Sequence, residues 1–306
     1  MKKLRPVILF FALLLLLGTA FAEEGRDDSR LVTFGKLTVN SDVTYIDLEG
    51  NIVKDYDEFC RFLDQLPYLE KCDMFSTEIR RKNIDMLAER YPNITFGWSM
   101  LLSARDHTHI LRTDATAFST LHNNQTTQHS SKDFEILKYC PDLLALDIGH
   151  NSIDDLSFLS YVPNLRVLII ACNQVNDITP LGQLKDLQYL ELFKNDIHDI
   201  SVLSGLTELI DLNICFNRIK DWTPIYPLTK LQRLWVYNSN NYSEDIPVPR
   251  EAVNGLKEAL PNCYIDSKSW STQGGWREHE RYDVIYNMFK TGVYIPFNEK
   301  LPGQDD

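Results

Sequence analysis

The sequence is poor in positive charge and, beyond its first residues, lacks a long apolar run. Lys and Arg total 31 against 43 Asp and Glu, which gives a net charge of −12. This balance disfavours binding to nucleic acid or to an anionic membrane surface, because both attract cations. After residue 22 no apolar segment is long enough to cross a bilayer, so we expect no stable membrane insertion once residues 1–22 are removed.

Signatures of catalytic and cofactor sites are also missing. The sequence contains no Ser-His-Asp signature, no phosphate-binding loop and no CxxC pair, and we predict no cofactor. Its six cysteines are irregularly spaced, and several occupy positions where a small apolar residue is expected. We therefore expect mostly free thiols that pack as small hydrophobic side chains. A Cys60–Cys72 disulfide remains open, because export would permit one.

Residues 1–22 have the layout of a signal peptide. Lys2, Lys3 and Arg5 precede an apolar stretch from Val7 to Leu17, and Ala20-Phe21-Ala22 supplies small residues for cleavage. The pattern predicts cleavage after Ala22 and a secreted protein, with a retained N-terminal anchor as the alternative. The mature chain would keep 28 cations against 43 acids, a net charge of −15.

A repeat of 22 residues occupies the middle of the chain. Four blocks begin at Leu143, Leu165, Leu187 and Leu209, and a fifth begins at Leu231 but diverges after one strand. Within each block, apolar residues two positions apart indicate a strand with one face buried in a core shared by successive repeats. Pro180 and Pro224 disfavour an α-helix in the short return limb, so we expect 3₁₀ or irregular turns there.

One asparagine recurs at the same position of every regular block. The four residues are Asn151, Asn173, Asn195 and Asn217. An amide side chain both donates and accepts hydrogen bonds, so a stacked column of asparagines would pair backbone groups where the chain leaves each strand. We predict a structural asparagine ladder.

The pattern LxxLxLxxNxIxDI at this spacing resembles the short leucine-rich repeat of internalin-type bacterial surface proteins. The resemblance implies an α/β fold, a right-handed leucine-rich-repeat solenoid with a parallel concave sheet and short convex limbs. It also implies a secreted bacterial protein that binds a partner and is not an enzyme.

The regular repeats divide the chain into further segments. We expect divergent N-terminal repeats or a cap over residues 23–142, with a hairpin or loop near 103–130, then regular repeats over 143–236 and a C-terminal cap over 237–306. Helical periodicity predicts helices at 55–66 and 79–91 in the N-terminal part and at 251–260 and 281–289 in the cap. The last of these would seal the final repeat.

The strand residues between the buried leucines face the concave surface, where aromatic residues gather in the last three regular repeats. Tyr, Trp and Arg are enriched in binding sites, so we predict that this face recognises a protein or glycan. The predicted ligand-binding residues are Asp147, Tyr189, Glu191, Phe193, Asp211, Asn213, Phe216, Arg233, Trp235 and Tyr237. The alternative is that the C-terminal cap, or residues 266–280, folds over this face and makes the aromatics structural.

Two further functions remain open at this stage. Glu191 and Asp211 lie on adjacent predicted strands, where two carboxylates would suit a glycan hydrolase. His107 and His109 alternate along a predicted strand and, with Asp106 or His122, would suit a metal-dependent site in the 105–122 loop. The shallow face and the small number of ligands disfavour both, so neither catalytic residues nor a metal is predicted.

Overall fold

The computed structural model describes residues 29–298 except 49, 76, 78, 105–106, 122–127, 238, 241–243, 246 and 270–271. The predicted signal peptide lies outside the described residues. The chain forms two compact units. One extends to Asp73 and includes Arg80–Phe96, and the other comprises Met74–Ile79 and the chain from Gly97 onward.

The first unit contains two pairs of strands and two helices. Its elements are β1 (Leu31–Phe34), β2 (Leu37–Asn40), β3 (Tyr45–Asp47), α1 (Tyr56–Leu63), β4 (Lys71–Met74, whose last residue belongs to the second unit) and α2 (Arg81–Arg90). β1 and β2 are antiparallel, whereas β3 and β4 are parallel. The Asp55 side chain caps α1 by accepting from two backbone N–H groups, and α1 buries Phe59 against Phe34 with ring centroids 5.0 Å apart. Helices in the N-terminal part were predicted, and this is confirmed.

The second unit opens with strands that extend into the segment expected to be a hairpin or loop. β5 (Thr95–Ala104, which begins at the end of the first unit) pairs with β6 (His107–Arg112) as an antiparallel hairpin, and β7 (Ala117–Ser119) joins the main sheet. The segment 103–130 therefore contains the second strand of a hairpin and also β7, a sheet strand that was not predicted. A three-residue strand outside the 22-residue period is too short to be recognised from its own pattern.

The repeats form a parallel sheet of seven strands in the order β15-β12-β11-β10-β9-β8-β7. The remaining elements in chain order are β8 (Ala145–Asp147), β9 (Val167–Ile169), β10 (Tyr189–Glu191), β11 (Asp211–Asn213), β12 (Arg233–Trp235), β13 (Ser239–Asn240), β14 (Glu244–Asp245), α3 (Arg250–Ala259), β15 (Tyr264–Asp266) and α4 (Glu280–Thr291). The 3₁₀ helices are Ser131–Tyr139, Ser157–Tyr161, Thr179–Gln183, Ser201–Gly205 and Thr223–Ile225. The predicted fold class, a leucine-rich-repeat solenoid with short 3₁₀ limbs, is confirmed.

The middle residue of each repeat strand forms the core of the solenoid. Leu146, Leu168, Leu190, Leu212 and Leu234 are register partners and are fully buried. Each contributes about 1.5–3 kcal/mol relative to an exposed side chain. The first and third residues of each strand therefore lie on the opposite, concave face.

The ladder asparagines join each repeat to the one before it. Asn217, for example, donates to the carbonyls of Leu192 and Ile214 at 3.0 Å and accepts from the Ile197 N–H at 3.1 Å. The residue before each asparagine has a positive φ although none is glycine, from 53° at Phe216 to 59° at Lys194. The turn is unfavourable for these residues but is stabilised, because the asparagine side chain pairs the backbone groups that the turn leaves without partners.

All six cysteines lie in the described part of the chain and are free thiols. Cys60 and Cys72 are both buried, so each packs as a small apolar side chain. Over the described residues, no helix is both long and apolar enough to span a bilayer.

Candidate binding pocket on the concave face

The concave face changes character along the sheet. One row of register partners runs Ala117, Ala145, Val167, Tyr189, Asp211, Arg233, Tyr264, and the other runs Ser119, Asp147, Ile169, Glu191, Asn213, Trp235, Asp266. Over β7 to β9 the residues are mostly small or medium-sized, whereas over β10 to β12 most are large aromatic or charged ones. The half with small residues therefore leaves more room for a segment that packs on it than the half with large residues does.

The segment 272–298, called here the C-terminal cover, packs on this face. Its Trp276 is fully buried, with ring centroids 5.4 Å from Tyr189 and 5.0 Å from Trp235. The Trp235 indole N–H donates to the Gln273 carbonyl at 2.8 Å. The large aromatics of β10 and β12 thus form a second hydrophobic core between the sheet and the cover.

Glu191 is fully buried and anchors the cover. It accepts from the Trp276 indole N–H at 2.8 Å, from Arg277 Nη2 at 2.9 Å and from the Tyr189 hydroxyl. Burial, with the Glu191 charge adding to it, raises the pKa of Tyr189 well above its usual value, so the phenol stays a donor. The charge of Glu191 is therefore compensated inside the protein.

Asp211 is the second buried anchor. It accepts two hydrogen bonds from Arg233, at 2.9 and 2.6 Å, and a third from Arg281 of α4. Because Glu191 and Asp211 are buried and hold arginines, neither carboxylate is open to a substrate. The arrangement gives no support to the hydrolase alternative, which needs accessible carboxylates.

Helix α4 crosses the half of the face that bears small residues. Its Val284, Ile285 and Met288 are buried in one cluster with Ala117 and Ala145. After the helix, the Gly292 carbonyl accepts from the Thr116 and Ala117 N–H groups at 3.2 and 3.1 Å. Because this glycine ends α4 with a φ of 72°, a side chain there would be strained. The cover is thus held at both ends.

A pocket of about 660 Å³ remains between the early strands and α4. Its sheet side, with β6 and the turns that follow the strands, consists of His109, Ser119, Leu121, Asp147, Gly149, His150, Ile169 and Ala171; its cover side consists of Arg277, Tyr282, Ile285, Tyr286, Phe289 and Lys290. We call it the concave pocket. Its volume lies within the range of sites that hold small ligands or parts of larger partners.

Asp147 is the buried acidic group of the concave pocket, and its residue is only 5% exposed. Its Oδ1 accepts from the Gly149 N–H and its Oδ2 from the Ser119 hydroxyl, both at 3.1 Å. Within the described residues it forms no salt bridge. Burial, with the nearby Glu191 charge adding to it, raises the pKa of Asp147 to about 6.

The basic groups that line the concave pocket are constrained. Burial lowers the pKa of His150, and the Lys194 charge adds to this, so the imidazole is neutral at pH 7. Arg277 is paired with Glu191 and lies over the Tyr282 ring, 4.4 Å from its centroid. Lys290 lines the cover side at an exposed position of α4. The buried carboxylate of Asp147 therefore faces a pocket in which the half-buried cation Arg277 is already paired with Glu191.

The structure corrects the expected exposure of the late repeats. Of the ten residues assigned to an open surface, Asp147 lines the concave pocket, whereas Tyr189, Glu191, Phe193, Asp211, Asn213, Arg233 and Trp235 are buried under the cover or beside it. Phe216 and Tyr237 are half-buried against each other, with ring centroids 5.3 Å apart. The physical reason is that the large apolar side chains are stabilised by leaving water, whereas the buried carboxylates Glu191 and Asp211 are tolerated because arginines compensate them.

The cover side of the concave pocket corresponds to the alternative stated from the sequence, in which the C-terminal cap folds over the concave face, but the location of its helix was predicted wrongly. The helix at 281–289 was predicted to seal the last repeat, but α4 instead packs on β7 and β8 at the other end of the sheet. A usable sign was the run of small residues Ala117, Ala145 and Val167 at one strand position, which leaves room for a helix. β7 was not recognised, so this run was incomplete.

The 105–122 loop offers no metal centre within the residues that the structure describes. No group of three or more His, Cys, Asp or Glu side chains could hold an ion there or elsewhere in the described chain. Asp106 and His122, named for the metal alternative, lie outside the described residues, as does the side chain of His107. His109 lines the concave pocket, with its ring centroid 5.5 Å from that of His129.

Comparison with known proteins supports the repeat assignment. A family model for two copies of the leucine-rich repeat matches residues 163–205. No curated protein matches the sequence. The chain therefore carries leucine-rich repeats.

Several solved structures are similar in fold. An internalin, InlF, from Listeria monocytogenes is 20% identical, with 68% of this chain and 50% of that chain covered and a TM-score of 0.39. Internalin C2 of the same species is 26% identical, with 49% and 69% covered and a TM-score of 0.35. A Leptospira interrogans leucine-rich-repeat protein is 20% identical, with 67% and 45% covered and a TM-score of 0.41. This chain thus spans half the length of the first.

Proposed function

We propose that this leucine-rich-repeat chain is a secreted, non-catalytic binding module that takes part of a protein partner into the concave pocket. The observation that carries the proposal is a pocket of about 660 Å³ with aromatic side chains at its wall and the buried carboxylate of Asp147, which forms no salt bridge within the described residues. Such a combination of apolar walls and a few convergent polar groups is typical of binding sites. A glycan partner remains the alternative.

The proposal moves recognition from the late repeats to the early ones. Asp147 is the residue of the predicted set that we expect to touch the partner. Tyr189, Glu191 and Trp235 then act indirectly, because they hold Trp276 and Arg277 of the cover and so fix the wall of the concave pocket. Tyr286, which is 59% exposed on α4, lies at the pocket and offers the aromatic surface that binding sites favour.

Site-specific photocrosslinking tests this proposal. A photoreactive phenylalanine derivative would replace Tyr286 in one variant and Tyr161, a 42% exposed tyrosine on a convex limb, in the other. Each variant would be irradiated with a displayed library of peptides and protein domains. We expect reproducible adducts at position 286 and none at 161. Equal yields at both positions, or none at 286, would contradict the proposal, and binding only on a glycan array would replace the protein partner by a glycan.

Secretion and bacterial origin belong to the same proposal. They are supported by the charged, apolar and small-residue regions of residues 1–22 and by the 22-residue repeat. Mass spectrometry of the chain expressed in a bacterium with an intact export system tests secretion. We expect released protein that begins at Glu23, and an unprocessed chain retained in the membrane fraction would contradict this.

A further inference from the structure

We propose that the concave pocket binds an ammonium group of the partner, carried by a lysine side chain or by a free amino terminus, with Asp147 as its counter-ion. The inference rests on the proposed function, because it assumes that the concave pocket is the binding site. It assigns the chemistry that this site recognises.

Three buried carboxylates on the concave face differ in their partners. Asp211 is neutralised by Arg233 and Arg281, and Glu191 by Arg277. Asp147 accepts only from a hydroxyl and an amide N–H, so its charge has no counter-ion in the described chain. A buried carboxylate without a cation is unfavourable, and a ligand that brings the cation relieves this cost.

The other charged and titratable groups around Asp147 come from several elements. The groups that face it or line the same pocket are His150 after its own strand, His109 of β6, Glu191 of β10, and Arg277, Tyr282 and Lys290 of the cover. Arg277 is compensated by Glu191, and His150 is neutral at pH 7. The uncompensated charge at the buried end of the pocket is therefore negative.

An aromatic wall lies beside the Asp147 carboxylate in the concave pocket. Tyr282, Tyr286 and Phe289 line the cover side of the pocket. Aromatic faces attract ammonium groups, and they also pack against the methylene stem of a lysine. The net charge of −12 draws cationic ligands toward the molecule over a longer range.

The proposal has a pH signature. The Asp147 carboxyl, with a pKa of about 6 in the free protein, must be ionised to pair with an ammonium group. Its ionised fraction rises roughly tenfold between pH 5 and pH 7, so we expect affinity to rise by about the same factor. Protonation of His150 at low pH would act in the same direction, and the Asp147 variant separates the contributions.

Titration with Nα-acetyl-lysine methylamide tests the inference. Binding would be followed by NMR chemical shifts of the full mature chain at pH 5 and pH 7. The Asp147→Asn variant should bind at least tenfold more weakly at pH 7 and lose most of the pH dependence. Asp186→Asn removes the same charge from an exposed convex position and should bind as the unmodified protein does.

Equal binding by Asp147→Asn, no binding by the unmodified protein, or an affinity independent of pH would each overturn the inference. The pH dependence of the unmodified protein does not depend on whether the variant folds. If partners are captured at position 286 while the amine probe fails, the proposed function stands and the ammonium inference falls. If no partner is captured there either, both fall.

Two peptides distinguish the sources of the ammonium group. One carries a free amino terminus and an acetylated lysine, and the other an acetylated terminus and a free lysine. Binding of one alone identifies its source, and binding of both means that the pocket reads the ammonium group itself. Binding of a peptide counts only when Asp147→Asn weakens it, because binding through another surface would survive the substitution. If neither peptide binds in this way, the inference is overturned.

Discussion

At the scale of single residues, the concave face shows how partners decide the role of a carboxylate. Glu191 and Asp211 are fully buried yet serve as anchors, because arginines from the cover and from β12 compensate them. Asp147 lies at the same strand position as Glu191, two strands away, but within the described residues it accepts hydrogen bonds from Ser119 and Gly149 and forms no salt bridge. The strand position and the carboxylate are thus shared, but the chemistry available to a ligand is not.

The Asp147→Asn substitution should stabilise the protein at neutral pH. The folded-state pKa of about 6 lies above the ordinary aspartate value of 3.8, so the folded state holds this proton more tightly than the unfolded state does. The protonated Asp147 carboxyl therefore stabilises the folded state at low pH, and this stabilisation is lost as the pH rises from about 4 through 6. By pH 7 the buried ionised carboxylate costs of the order of 2–3 kcal/mol in the free energy of unfolding. Asparagine keeps the shape and avoids this cost.

Urea unfolding at pH 7 and pH 4 measures this effect. The gain should be largest at pH 7 and fall below about 1 kcal/mol at pH 4. A destabilisation of similar size at both pH values would show that the carboxylate has a structural role that an amide does not replace.

Removal of one ladder asparagine should weaken the solenoid strongly. Asn217 is 1% exposed, and its amide pairs the Ile197 N–H and the Leu192 carbonyl of the preceding repeat. Asn217→Ala leaves these groups buried and unpaired, for which we expect a loss of about 2–4 kcal/mol in the free energy of unfolding. Asn164→Ala, at an exposed turn, is the matched control and should change stability by less than about 0.5 kcal/mol. Equal effects in denaturant melts would contradict the ladder's role.

At the scale of elements, α4 shows that predicting a helix does not predict the surface on which it packs. The spacing of Tyr282, Ile285, Tyr286 and Phe289 predicted a helix at 281–289, and the structure has α4 at Glu280–Thr291. Its location was predicted at the last repeat, whereas it packs on β7 and β8. Local periodicity defines a buried face, but it does not say which surface covers that face.

A larger residue on β8 should displace α4 selectively. Ala145 is fully buried in the cluster that contains Ile285 and Met288, so Ala145→Leu overfills the contact and should cost about 1–3 kcal/mol. Hydrogen exchange should accelerate in α4 while the amides of β10 to β12 stay protected. Ala88→Leu, exposed on α2, is the control and should leave exchange in α4 unchanged. Uniform acceleration across the sheet would mean that Ala145 supports the solenoid core instead.

At the scale of the whole second unit, the sheet is buried on both sides over much of its length. The leucines form one core within the repeats, and Tyr189, Trp235 and Trp276 form another beneath the cover. A solenoid sheet with an open concave face would leave these aromatics in water. The cover therefore converts a large apolar surface into a second core and leaves a defined pocket.

Loss of the cover should expose that surface. A chain that ends after Lys268 keeps β15 but loses Trp276, Arg277 and α4. We expect a marked increase in binding of a hydrophobic dye and self-association in sedimentation experiments, because the aromatics of β10 and β12 become accessible. A chain that ends after Asn298 keeps every described cover contact and serves as the control. Similar dye binding by the two chains would contradict the cover's role.

The sequence by itself determined the strands of the regular repeats, their short non-α-helical limbs and the positions of the four asparagines. These features repeat every 22 residues, and the partner of each residue is the same position in the next repeat, as for Leu190 and Leu212. The repeat pattern therefore predicts contacts between residues 22 positions apart, because aligning the blocks shows which residues are partners. The same reasoning placed Asp147 on the concave face.

Only the tertiary structure decided which part of that face is open. Glu191 contacts Arg277 across 86 residues, and Trp235 contacts Gln273 across 38 residues. Neither contact recurs with the 22-residue repeat, so the repeat pattern does not predict them. Both an open face and a covered face satisfy the repeat pattern equally well. The choice depends on the shapes and charges of two distant segments, so the concave pocket emerges only when they are brought together.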